Sequence, residues 1–213
     1  MQFLKYALAA FSIGSAIAAP AVEPVAREVA VGATVGGNSL ADVQVLVGHV
    51  ADIKVTVLGE VDNLNKIAGG NPTDADVPTI KASLSLIRQK ILDIEVDLNP
   101  LVKGVVQPLL EADLHIVLDL VTDVEALLQG VEDTVNNLLK TLPAELQKQL
   151  QHDLTYVLQV LNPVLSPVLD LVAGLLGTNK GAIVDQINGI VVNLNGLLGG
   201  LLNPLLGTLA KIL

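Results

Sequence analysis

The sequence predicts an all-α protein, a bundle of about four to six long amphipathic helices built without disulfides. Three observations carry that expectation. Apolar residues recur at threes and fours through most of the chain. Glycine and proline fall mainly between those periodic stretches. Cysteine is absent from all 213 residues, so the fold must hold by burial alone or gain stability from a partner or surface.

The clearest helix carries Leu110, Leu114, Val117, Val121, Val124, Leu128, Val131, Val135, Leu138 and Leu142, a regular alternation of four and three. Such a seam marks a bundle or coiled-coil-like helix. Pro108 stands near its start, where a missing N–H is harmless, and Pro143 follows its end. An earlier helix is expected from Ser39, a plausible N-cap, to Ala68, with Gly69-Gly70 as its stop. Its seam is Leu40, Val43, Val47, Val50, Ile53, Val57, Val61 and Leu64. Ile53 to Val57 alternates and is β-branched, which also suits a strand; the length without turn residues favours helix. Residues 71–76 read as a turn, and a helix follows from Val77 to Leu98 with Ile80, Leu84, Ile87, Ile91, Ile94 and Leu98 on one stripe. Asn99-Pro100 is expected to end or kink it. A further helix spans Ala144 to Leu161, broken at Asn162-Pro163 and again at Pro167, with a short apolar piece to Leu176 closed by Gly177. The last segment, Gly181 to Leu213, repeats the spacing with Val184, Ile187, Val191, Leu194, Leu198, Leu201 and Leu205. Its glycines weaken it by about 1 kcal/mol each in a helix interior. Asn-Pro followed by two aliphatic residues recurs at Asn99, Asn162 and Asn203 without a fixed period, as a reused turn device.

Residues 1–18 have the form of a signal peptide: Lys5, an apolar run, then Ala16-Ile17-Ala18 as a cleavage site. About 13 apolar residues are too few for a bilayer span, which takes roughly 20. Secretion is therefore expected, to the extracellular space or cell wall. Residues 19–38 read as a flexible leader, and 39–213 as one helical-bundle domain.

Charge divides the chain unevenly. The net charge is −10, with 20 acidic and 9 basic residues between Ala19 and Asp153. After Leu154 only Asp170, Lys180, Asp185 and Lys211 are charged. An acidic chain argues against nucleic acid and anionic membranes as partners.

The residues offer no catalytic or metal-ligating set, and neither an enzyme nor a cofactor is expected. His49, His115 and His152 lie far apart, without partners at ligand spacing. No serine sits in a nucleophile elbow. Asp93, Glu95 and Asp97, and likewise Glu132 and Asp133, read as solvated helix faces.

What remains is an aliphatic surplus. Hydrophobic residues make up 51% of the chain, and 18 glycines come on top. In the last helix the pairs Leu197-Leu198, Leu201-Leu202 and Leu205-Leu206 widen the apolar stripe beyond one seam. Together with Leu194 they form the expected contact surface for an apolar phase, a lipid or a fatty acid. The competing expectation is a structural protein of the cell wall or extracellular matrix, forming a helical homo-oligomer through the same seams.

The signal peptide ending Ala16-Ile17-Ala18, the lack of cysteine and the Leu/Val/Ala helices divided by Gly-Gly and Asn-Pro resemble the secreted hydrophobic-surface-binding and cell-wall galactomannoprotein-like proteins of filamentous fungi. The resemblance covers Val43 to Leu142. It implies adsorption to hydrophobic solids, or lipid binding within a helical bundle. The sequence departs from that pattern in its uncharged Leu/Gly-rich tail and its few Ser and Thr residues for O-glycosylation.

Overall fold

A computed structural model describes residues 40–103, 108–200 and 207. The expected signal peptide, the leader, the Ser39 cap and residues 201–206 and 208–213 lie outside that set. The described chain is helical: α1 (Leu40–Gly69), α2 (Val77–Lys103), α3 (Leu114–Thr141), α4 (Ala144–Leu176) and α5 (Ala182–Gly200), with short 3-10 turns at Asp74–Asp76 and Glu111–Asp113. No strand occurs among the described residues. The Ile53–Val57 stretch lies inside α1, and Ile53 and Val57 are buried.

The helices form two layers. α1, α3 and α5 lie side by side in one layer, and α2 and α4 in the other. The most extensive contacts are α1 with α3 and α2 with α4, so neighbours within a layer run parallel. Each tier is a helical hairpin. Thr73 opens the turn between α1 and α2: its N–H and hydroxyl both donate to Asp76 Oδ2, at 2.8 and 3.0 Å. This capping arrangement starts α2.

Contacts between tiers run at a nearly constant sequence separation. Lys54 of α1 pairs with Asp123 of α3. Asn65 Nδ2 donates to Thr134 Oγ1 at 3.2 Å, and Asn137 Nδ2 donates to Asn65 Oδ1 at 2.8 Å. In the other layer Lys81 pairs with Asp153 at 3.8 Å, and the Arg88 guanidinium lies 5.6 Å from the Tyr156 ring centre. Asn193 Nδ2 of α5 donates to Glu125 Oε1 of α3 at 2.9 Å.

That register exposes an internal duplication which the scattered Asn-Pro pairs conceal. Shifted by 71 residues, α1 falls on α3: Val43, Leu46, Val50, Ile53, Val57 and Leu64 meet Leu114, Val117, Val121, Val124, Leu128 and Val135, all buried. Shifted by 70, Ile80, Leu84, Ile87, Ile91, Ile94 and Leu98 meet Leu150, Leu154, Val157, Leu161, Val164 and Val168, again all buried. α5 restarts the pattern. Residues 187–200 (INGIVVNLNGLLGG) match residues 57–70 (VLGEVDNLNKIAGG) at seven of fourteen positions. The second hairpin therefore stacks on the first as a near copy, in the manner of repeat proteins.

Several boundaries differ from expectation. Leu110 is no seam residue: it precedes the 3-10 turn and is 75% exposed. Asn99-Pro100 does not end α2, which continues to Lys103. α4 runs unbroken through Pro163 and Pro167 as one helix of 33 residues. A proline inside a helix costs about 3 kcal/mol. Leu161, Val164, Leu165, Val168, Leu171, Val172 and Leu175 are all buried along this stretch, at about 1.5–3 kcal/mol each. That burial outweighs two prolines, so the Asn-Pro pairs at 99 and 162 are not turns.

Two glycines sit at close approaches. Gly177 closes α4 at φ +53, and a Cβ there would lie 2.6 Å from Pro108 Cβ. The same corner is tied by Leu109 N–H donating to the Leu175 carbonyl at 2.9 Å and Asn179 Nδ2 to the Leu109 carbonyl at 2.6 Å. Gly130 lets α1 approach α3, since a Cβ would stand 2.8 Å from Leu58 Cδ2.

Candidate functional site

α5 flanks the stack, packed on α3 and, less extensively, on α4. The 3-4 spacing puts Val184, Ile187 and Leu194 in the core, with Ile183, Ile190, Val191 and Leu197 half-buried against it. The sequence surface is thus divided. Leu194 is fully buried, Leu197 is partly covered, and Leu198 falls in the last turn of α5. The Leu198 side chain and all of Leu201, Leu202, Leu205 and Leu206 lie outside the described residues.

The outer side of α5 is unlike that of its counterpart in α1. Where α1 exposes Asp62 and Lys66, α5 exposes Val192 and Gly196. Val192 is 68% exposed, and nothing would meet a Cβ on Gly196. One side-chain hydrogen bond, Asn193 to Glu125, ties α5 to α3, and it is solvent-exposed. No charge occurs from Gln186 to Gly200. α5 is therefore held by non-directional burial along one face.

Sequence reasoning missed one group at this seam. Glu132, expected on a solvated face, is buried at 4% exposure, and its Oε1 has no hydrogen-bond partner. Burial, and after it the charge of neighbouring Asp133, push its carboxyl up to about 7. The signal was present in the spacing: Glu132 follows Leu128 by four residues and Glu125 by seven, on the shoulder of the apolar stripe that faces α5. In the duplication it takes the place of buried Val61.

A second feature is a groove of about 370 Å³ between the first turns of α1 and the end of α2. Leu46 and Leu101 are buried in its lining, while Val45 and Val96 stand 73% and 68% exposed beside them. The His49 imidazole of α1 lies against the Asp97 carboxylate of α2 at its edge. Asp93 is paired to Lys90 at 3.1 Å. His152 stacks on Tyr156, ring centres 4.1 Å apart. Among the described residues no group of three His, Cys, Asp or Glu is placed to hold a metal ion.

By length and composition α4 is apolar enough to cross a membrane, and 44% of its most apolar window is buried inside the stack. A core helix of a bundle has the same composition. No family model, curated protein or solved structure matches the chain.

Proposed function

We propose that this chain is a secreted amphiphilic helical protein that adsorbs to apolar surfaces or lipids through α5 and the leucine-rich residues after it. One observation carries the reading: residues 187–200 of α5 match residues 57–70 of α1, with the exposed Asp62 and Lys66 of that segment replaced by exposed Val192 and Gly196. Terminal elements of stacked-repeat proteins ordinarily present a polar outer face that keeps them soluble. α1 follows that rule with exposed Asp52, Thr56, Asp62 and Lys66; α5 exposes the amides of Gln186, Asn188, Asn193 and Asn195 but no charge after Asp185, with Val192 exposed among them. An uncharged terminal helix gives up less hydration on meeting an apolar phase than a charged one.

The mechanism is exchange of contacts. Outward Val192 meets the oil, wax or lipid phase first, and Val184, Ile187 and Leu194 then leave the α3 seam to join it, which preserves most of the roughly 25 cal/mol/Å² of burial. The acidic α1–α4 stack stays in water. The signal-peptide pattern of residues 1–18 and the likeness to fungal surface-binding proteins support a secreted role.

The test restores the α1 residues on the outer side of α5, in the full chain, as Val192→Asp with Gly196→Lys. Wild type should coat polystyrene or hexadecane droplets with its helicity intact by circular dichroism. The double variant should lose most of that adsorption with an unchanged melting curve. Equal adsorption by both proteins rejects the proposal. A mass that grows with concentration, without adsorption, would replace it with the helical-oligomer reading.

A further inference from the structure

We propose that Glu132 is a proton-operated latch for α5: the protonated side chain is tolerated in the α3–α5 seam, and its ionisation drives the end of α5 off α3. The inference holds whatever α5 binds once released.

Position comes first. Glu125, two turns before Glu132 on the same stripe of α3, accepts the hydrogen bond from Asn193. α3 and α5 run parallel, as the Asn179–Leu109 and Asn193–Glu125 contacts show. Two turns further along, Glu132 stands level with the last turn of α5, beyond half-buried Leu197.

Environment comes second. The side chain is nine-tenths buried and Oε1 is unpartnered, a costly state for a carboxylate and a tolerable one for the neutral acid. The corresponding residue of the first hairpin is apolar Val61, so the repeat itself prepares no partner there. Among the described residues no neighbouring element supplies a cation. α5 carries only Asp185, near its start. From α1 the cation reaching α3 is Lys54, already paired with Asp123 on the opposite flank. On α4, Glu145, Lys148 and His152 are exposed and Asp153 pairs with Lys81. Glu111 and Asp113 lie at the other end of α3. Adjacent Asp133 opposes ionisation.

The step is an acid dissociation. The carboxyl O–H breaks, the proton passes to water, and the carboxylate gains hydration only if the end of α5 lifts to admit solvent. Hydrated, the charge is stable; sealed, it is not. Lifting α5 uncovers the apolar face of the last tier, while the seams within each hairpin are untouched.

Hydrogen exchange of the full chain, corrected for intrinsic rates, tests this between about pH 5.5 and 8.5. Wild-type amides in residues 182–197 should lose protection by about tenfold or more across that range, with α1 and α2 unchanged. In Glu132→Gln the protection of α5 should be independent of pH, and Glu132→Val, which installs the first hairpin's residue, should behave likewise and serves if the glutamine variant folds poorly. Flat α5 protection in wild type overturns the proposal. So does an equal loss in both variants, or a loss in α1 and α2 that keeps step with α5.

Discussion

α1 and α5 are two versions of one helix placed at opposite ends of the same layer. Both bury one stripe at threes and fours, and both carry the segment Asn-Leu-Asn before Gly-Gly. They differ in what they show to water and in how they are fastened. α1 has charged residues on its outer side, a Lys54–Asp123 ion pair and an Asn65–Thr134–Asn137 network in its seam with α3. α5 has no charge on its outer side after Asp185, one exposed side-chain hydrogen bond to α3 among the described residues, and a buried acid opposite its last turn. Apolar spacing makes a helix dock; paired polar groups decide how uniquely and how firmly it stays. On that argument the first four helices form the stable body, and α5 is its detachable end.

The largest expected effect separates body from end by one truncation made twice. Ile91→Ala, at a fully buried position of α2, should lower global stability by about 2–5 kcal/mol and shift the whole denaturant transition. Ile187→Ala removes the same atoms from an equally buried site of α5. Its cost should appear as local opening, with faster exchange at residues 182–197 and a much smaller shift of the global midpoint. Equal shifts of the midpoint would show that α5 unfolds with the body, and the contrast would collapse.

Next comes pH. The Glu132 carboxyl moves from its ordinary 4.5 to about 7 on folding, so the folded state holds the proton more tightly than the unfolded chain. Stability is then unaffected below 4.5, falls as pH rises between 4.5 and 7, and levels off above 7. The full difference is on the order of 3 kcal/mol for docked α5, and opening of α5 caps the loss of global stability at the docking energy of that helix. Chemical denaturation at pH 5 and pH 8 should show it for wild type, and Glu132→Gln should remove that slope.

How much of this was legible beforehand follows from what periodicity encodes. The seams of α1, α2 and α3 were readable because a buried stripe repeats every three or four residues. All of Ile80, Leu84, Ile87, Ile91, Ile94 and Leu98 are indeed at most 1% exposed. The prolines of α4 misled because local propensity is weaker than burial on both sides of Pro163 and Pro167. Leu110 misled because a seam rule cannot distinguish a helix residue from one just before its 3-10 turn. The duplication was invisible until contacts gave the offset, since apolar residues interchange freely between copies and seven of fourteen identities are confined to the α1–α5 pair. Glu132 was misread for a related reason: a charge was taken to mark the wet face, whereas its spacing from Leu128 marked the dry one.

A corner outside the α1–α5 contrast gives an intermediate effect. Gly177→Ala forces a side chain into a positive-φ position against Pro108, at about 1–3 kcal/mol. A fluorescence or calorimetric melt should show the loss, and if the melt does not move, the α4–Pro108 contact is looser than described.

The smallest effects sharpen the comparison at matched positions, because Lys54 and Glu125 occupy the same place in the two copies and each reaches the next helix of the layer. Lys54→Ala leaves Asp123, whose side chain is 15% exposed, without its ion-pair partner. The cost should be about 1–3 kcal/mol. Asn193→Ala removes the partner of Glu125 where water replaces the bond at once, so the cost should stay below about 1 kcal/mol. Urea titrations of the two variants at one pH compare them directly. A ratio near one, or reversed, would mean that the α5 seam is fastened as firmly as the α1 seam, and neither release to a surface nor a proton latch would then have a loose helix to act on.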